Sequence, residues 1–150
     1  MRLLKYITEK RNVQKLYFAH ARALYDSNTE GKALKLIQEK FPDHIIINPN
    51  VDWIQGKCDD MGFDIFFKVI STASKIVFMP FKDNKVGNGT WRECQYGHKE
   101  GIPLFEVNPY RGTIKEFEFN KIKYLSPEET FSRINKKCQA NYKVYEDGEI

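Results

Sequence analysis

The stretch SKIVFMPFKDNKVGNGTWRECQYGHKEGIPLFEVN, residues 74–108, decides the fold. It opens on an apolar run, 74–81, of the length and composition of a buried strand. A polar loop with two glycines follows, then a helical segment that Gly101 stops, then a second strand, IPLFEVN, 102–108. Upstream the same alternation repeats. KLYFAHA, 15–21, is a short apolar run ending in polar residues, and Asp26-Ser27-Asn28-Thr29 offers N-caps for a helix to about Lys40, which Pro42 stops. HIIIN, 44–48, is β-branched and continuous, the pattern of a strand covered on both faces of a parallel sheet. Asp59 and Asp60 open a helical stretch to about Ala73, with Phe63, Phe66, Phe67 and Ile70 at helical spacing.

Four strands alternating with three helices predict an α/β fold, a doubly wound, mainly parallel flavodoxin- or Rossmann-like sheet with right-handed crossovers. A C-terminal strand pair and helix complete it. TIKEFEF, 113–119, alternates like a strand with one wet face, and KIKYL is close enough to pair with it. Ser126-Pro127-Glu128-Glu129 starts a helix to about Lys137, and YKVYE adds an edge strand.

The totals agree with one domain spanning 1–150. Its composition, 41% apolar and 29% charged, supports a packed core under an ordinary soluble surface. The net charge of +4 is spread along the chain, which supports nucleic acid only weakly and suits small anionic ligands equally. No apolar stretch is long enough for a membrane span or a signal peptide, so a cytoplasmic location is expected. Cys58, Cys94 and Cys138 lie far apart without a CxxC, so neither a disulfide framework nor a zinc site is suggested, and no metal or cofactor is expected.

In such sheets ligands bind outside the carboxyl ends of the strands, near the point where strand order reverses. That selects the loops at 19–22, 48–52, 81–90 and 108–112, and with them Arg22, Asp83, Asn88, Glu93, Asn108 and Arg111, as residues able to share one cleft. Glu93 has two readings. Thr90-Trp91-Arg92-Glu93 has the form of a capping box, as does Ser126 to Glu129. Gly87 and Gly89 around Asn88 permit positive φ and a close approach to a ligand, and a carboxylate at that helix end would stay ionised, as a nucleophile requires.

Other candidates carry their own alternatives. Cys94 and His98, four apart on one helix face, could be a nucleophile with its base or two metal ligands, although a half-buried cysteine on the core side is the commoner outcome. Arg22, beside His20, could bind phosphate or stay solvated. Tyr17, Phe18, Phe78, Phe81 and Trp91 could form a stacking wall for a base, although aromatics at strand positions are more often core. Asp64, inside MGFDIFF, faces either water or the cleft.

With these residues placed, the chain resembles the nucleoside 2-deoxyribosyltransferase-like superfamily over about 15–108. The resemblance rests on Tyr17-Phe18-Ala19-His20 with Arg22, on MGFDIFFKVISTASKIVFMPF, on the loop acid Asp83, on the Gly89 to Glu93 step, and on GIPLFEV. It implies that Glu93 attacks C1′ of a ribosyl group to give a glycosyl-enzyme, and that Asp83 binds the sugar or protonates the leaving base. Water or a second base would complete the reaction, as in retaining glycosidases. It further implies a nucleoside or nucleotide ligand near Tyr17, His20, Arg22, Asp64, Asn88, Gly89 and Asn108, and a homodimer. His20 stands where the family has glycine, and the gap from Asp83 to Glu93 is longer than the family's. The alternative is a nucleotide-binding or sensing module that does not cleave its ligand.

Overall fold

The computed structural model of the protein describes residues 13–51, 62 and 64–141, with side chains up to Ile134. Strands β1 (Gln14–Ala19), β2 (His44–Ile47) and β3 (Lys75–Phe78) are followed by a two-residue β4 (Lys85–Val86), then β5 (Leu104–Asn108), β6 (Thr113–Glu116) and β7 (Lys123–Tyr124). The main sheet runs β2-β1-β3-β5-β6, parallel except for β6, which is antiparallel to β5. The helices are α1 (Asn28–Lys40), α2 (Asp64–Ile70), α3 (Asn88–Lys99) and α4 (Pro127–Asn141). This is the doubly wound, Rossmann-like α/β sheet that the alternation predicts.

Period-two alternation divides the core into two layers. Leu16, Phe18 and Val77 pack with Ala33 and Ile37 of α1, whereas Tyr17, Ala19, Ile76 and Phe78 pack with Phe66 and Ile70 of α2 and Cys94 of α3. The contact under α3 is unusually close at Gly97, where an added Cβ would lie 2.0 Å from Ile76 Cδ1. Gly101 ends α3 as the sequence predicts. Its φ is +74°, Ile102 N–H donates to Gly97 O at 2.9 Å, and Gly101 N–H donates to His98 O at 3.1 Å, which together make a Schellman closure.

Three expectations about the elements change. HIIIN is not covered on both faces, because β2 is the sheet edge and Ile45 is 52% exposed. KIKYL does not pair with 113–119. Its Lys123–Tyr124 lies parallel to β4 in a separate small sheet, and the register is Lys85↔Lys123 and Val86↔Tyr124. The helix expected from Asp59 is described only from Asp64 to Ile70, and Asp59, Asp60 and YKVYE lie outside the described residues. No described helix is long and apolar enough to cross a membrane.

Candidate functional site

The strand order places the reversal between β1 and β3, because the chain steps outward from β1 to β2 and then returns to the other side of β1. A cavity of about 170 Å³ opens there. It is lined by His20, Ala21, Arg22 and Tyr25 after β1, by Gly87, Gly89, Thr90 and Glu93 after β3, by Phe66 of α2, and by Thr130 and Ile134 of α4. A larger hollow of about 560 Å³, at the amino end of β5, shares none of these residues, and the one carboxylate in its lining, Glu118, is exposed and pairs with Lys121.

Glu93 reaches the cavity by a route other than capping. The helix begins at Asn88 with Gly87 as its N-cap, a residue with no side chain to cap it, and the Asn88 N–H donates instead to Thr130 Oγ1 of α4 at 2.9 Å. Thr90 is therefore already inside the helix. Thr90, Glu93, Cys94 and Gly97 form the buried stripe that faces the sheet, at spacings of three, four and seven. The capping-box expectation fails here because the helix starts three residues earlier than the box requires. Gly87 has φ −65°, and neither it nor Gly89 is among the glycines with positive φ. Gly87 serves packing instead, since a Cβ there would lie 3.3 Å from the Thr130 methyl and 3.6 Å from Ala21 Cβ.

The Glu93 carboxyl is 6% exposed, and the phenol of Tyr17, fully buried in the middle of β1, donates a hydrogen bond to its Oε2. Burial raises the Glu93 pKa from 4.5 to about 8, against the lowering effect of the Tyr17 bond. The resting carboxyl is therefore mainly neutral at neutral pH, contrary to the expectation that the helix end keeps it ionised. One full turn in from the N-terminus, it has left the region where the dipole acts. Burial and the neighbouring Glu93 raise the Tyr17 phenol well above its ordinary range, so it stays a donor.

A second buried network backs the cavity. His20 Nε2 lies 2.6 Å from Glu30 Oε2, and His20 Nδ1 lies 3.1 Å from Phe18 O. Both ring nitrogens are thus committed within the fold, and the ring stacks on Phe18 at 3.9 Å. Burial alone would raise the Glu30 carboxyl, but hydrogen bonds from His20, the Asp26 amide and Asn50 hold it below the usual range. Asp26, with φ +60°, turns the chain so that its N–H reaches Glu30 Oε1 at 3.2 Å. Glu30, Asn50 and Tyr25 were not among the sequence candidates. Ser27-x-x-Glu30 was a readable signal for Glu30, because Ser27 Oγ accepts its N–H at 3.1 Å.

The remaining candidates divide. Tyr17, His20, Arg22, Gly89 and Glu93 are at the cavity or in contact with its carboxyl. Asp83 is not. Arg133 of α4 holds it through two bonds of 3.0 and 2.5 Å, it is exposed, and that pairing keeps its carboxyl below the usual range, which makes it a poor proton donor. Asn88 turns its side chain to Leu125 O at 3.2 Å, and Asn108 closes its own loop by accepting the Tyr110 and Arg111 N–H groups at 3.1 Å. Asp64 is exposed at the start of α2, outside the cavity, whereas Phe66 two residues on lines it. Arg111 is likewise exposed and outside.

Comparison with protein-family models, curated proteins and solved structures returns no match.

Cys94 and His98 do not form a working pair. Cys94 is 1% exposed, with a thiol raised well above its usual range by burial and by Glu93, while His98 is exposed and stacks on Phe119 at 4.8 Å. Among the described residues no group of three or more His, Cys, Asp or Glu is arranged to hold a metal ion. The chemistry available in the cavity is thus one buried carboxyl, oriented by a phenol and backed by a histidine–glutamate pair.

Proposed function

We propose that the protein hydrolyses or transfers the N-glycosidic bond of a nucleoside or nucleotide, with Glu93 as the nucleophile. The observation that carries this reading is a carboxyl buried at the switch point, held by the Tyr17 hydroxyl beside an open cavity. A nucleophilic carboxylate must be aimed, and the Tyr17 bond to Oε2 fixes it while adding a donor that stabilises its ionised form. In the first step Glu93 bonds to C1′, the C1′–N bond breaks, and its electron pair leaves with the base, which takes a proton from water. In the second, water attacks C1′, releases the sugar and returns the carboxylate. The cavity, small beside the roughly 300 Å³ and more of typical ligand sites, suits the sugar ring.

This assignment moves Asp83 out of the acid role and leaves the proton for the base to solvent. It also fixes the sign of the pH dependence. Only ionised Glu93 attacks, so kcat/KM for base release should rise about tenfold per pH unit below about 8 and level off above it. Free base released from a panel of nucleosides and nucleotides, followed by chromatography, is the measurement. Glu93→Gln should lower the rate at least about a thousandfold. A rate that falls through that pH range would make Glu93 a general acid. Binding without turnover would favour the non-cleaving module.

A further inference from the structure

Of the four helices, α4 alone buries none of its described side chains. α1 buries Ala33 and Ile37, α2 buries Ile65, Phe66 and Ile70, and α3 buries the stripe that carries Glu93. From Pro127 to Ile134, by contrast, Thr130, Arg133 and Ile134 are half-buried and the rest are exposed, Phe131 by 50%. The apolar burial that fixes the other helices to the sheet is thus largely missing from α4. Its ties to the body are polar and lie at two places. At its start, Leu125 is buried, its N–H donates to Val86 O at 3.0 Å, and its own carbonyl accepts from Asn88 Nδ2 at 3.2 Å. Two turns further on, Arg133 grips the exposed Asp83 carboxylate through two bonds and lies 4.9 Å from the Phe81 ring centroid. Between the two, Thr130 and Ile134 form one wall of the switch-point cavity.

We infer that α4 is a lid, pivoting at Leu125 and Ser126 and latched by Asp83 and Arg133, which must lift for a ligand to reach Glu93. For the identity of that ligand the inference rests on the N-glycosidic reading, and it goes beyond that reading in giving α4 and Asp83 a part in every turnover. With α4 down the cavity measures about 170 Å³, against roughly 300 Å³ and more for typical ligand sites, so a sugar ring fits but its base does not fit as well. Lifting Thr130 and Ile134 removes the wall that excludes the base. An exposed ion pair suits a latch, because it holds weakly enough to release. The Ser126–Glu129 box keeps the first turn of α4 intact, so the helix moves as one body about the buried Leu125.

Two measurements on the full chain test the lid without any turnover. The Asn88 amide has its acceptor on α4, so hydrogen exchange followed by NMR reads lid position there. It should exchange at least about a hundredfold faster than the amides of Tyr17 and Val77 in the sheet. Asp83→Asn should speed Asn88 about fivefold, the scale of one exposed ion pair, and leave Tyr17 and Val77 unchanged. The second measurement reads access to the cavity. Thr90 lines it and is 2% exposed, so in Thr90→Cys the rate of alkylation by iodoacetamide at that position, located by mass spectrometry, follows lid opening. Adding Asp83→Asn should raise this rate by the same factor, and the charge exchange Asp83→Arg with Arg133→Asp should bring it back down. An Asn88 amide as slow as the sheet would overturn the inference. So would latch variants, shown to be folded by circular dichroism, that speed Asn88 exchange but leave alkylation unchanged, since α4 would then move without gating the cavity. Base release from no nucleoside or nucleotide would defeat the glycosidic reading, while these two rates would still decide whether α4 is a lid.

Discussion

Glu93 and Glu129 stand at the same place in the same local pattern, a hydroxyl residue followed three positions later by glutamate, and the fold puts them to opposite uses. Glu129 is exposed and completes a capping box. Ser126 N–H donates to Glu129 Oε1 and Glu129 N–H donates to Ser126 Oγ, each at 3.1 Å. Glu93 is buried under Tyr17 and caps nothing. Ser27 and Glu30 fall between, since Ser27 accepts the Glu30 N–H but the carboxyl turns away to His20. The difference lies in where each helix begins. Ser126 is the last residue before α4, whereas α3 begins at Asn88 with its first amide capped by Thr130, 42 positions away. That start rotates Glu93 onto the sheet-facing stripe.

The sharpest way to break this comparison is the pH dependence of stability. Native Glu93, with its pKa raised from 4.5 to about 8, keeps a proton that the unfolded chain has already released between those values. Its favourable contribution is therefore complete below about 4.5 and is lost as pH rises through about 8, at a slope approaching about 1.4 kcal/mol per unit. Urea unfolding from pH 5 to 8 should show that slope in the wild type and lose it in Glu93→Gln. Glu129→Gln should keep it. If the two variants have equal slopes, the two glutamates are not in different environments.

A change of intermediate size concerns how closely α3 approaches the sheet. Gly97→Ala puts a methyl onto Ile76 Cδ1, the movable end of a buried side chain, and should cost about 2 kcal/mol even though alanine favours helix. The same push should loosen the Tyr17–Glu93 bond one turn earlier on the stripe. A neutral or stabilising result in thermal melts would show that α3 has room to spare.

The smallest effect compares the two hydroxyls directly. Ser126→Ala should cost about 1 kcal/mol, as a lost N-cap does. Thr90→Val should cost well under that, because Thr90 caps nothing and valine keeps its shape. Equal losses in denaturant titrations would restore Thr90 to the role its sequence suggests.

How much was legible follows from the range of each interaction. The α/β alternation, the Gly101 stop and the Ser126 box depend on residues a few positions apart, and all three are visible in the sequence. The location of Glu93 at the switch-point cavity was also within reach, from strand order and the glycine loop. The helix start was not, because it depends on Thr130, and the fate of Asp83 was not, because Arg133 is 50 positions further on. The pairing of 123–124 with β4 and the edge position of β2 likewise depend on contacts that no local pattern encodes. Glu93 itself carried an unused signal. Thr90, Glu93, Cys94 and Gly97 are spaced as an inward helix face, and a lone carboxylate on such a face calls for a buried partner.

The dependence of the cavity on Thr130 and Ile134 sets an order of events during synthesis. Every described strand of the main sheet lies before residue 117, so the ribosome delivers those strands, Tyr17 and Glu93 before the residues that roof them. Until α4 emerges, the helix end at Asn88 is open to water and Asp83 lacks Arg133. A chain stopped short of residue 130 would lack both the Thr130 oxygen that accepts the Asn88 N–H and the Arg133 that holds Asp83.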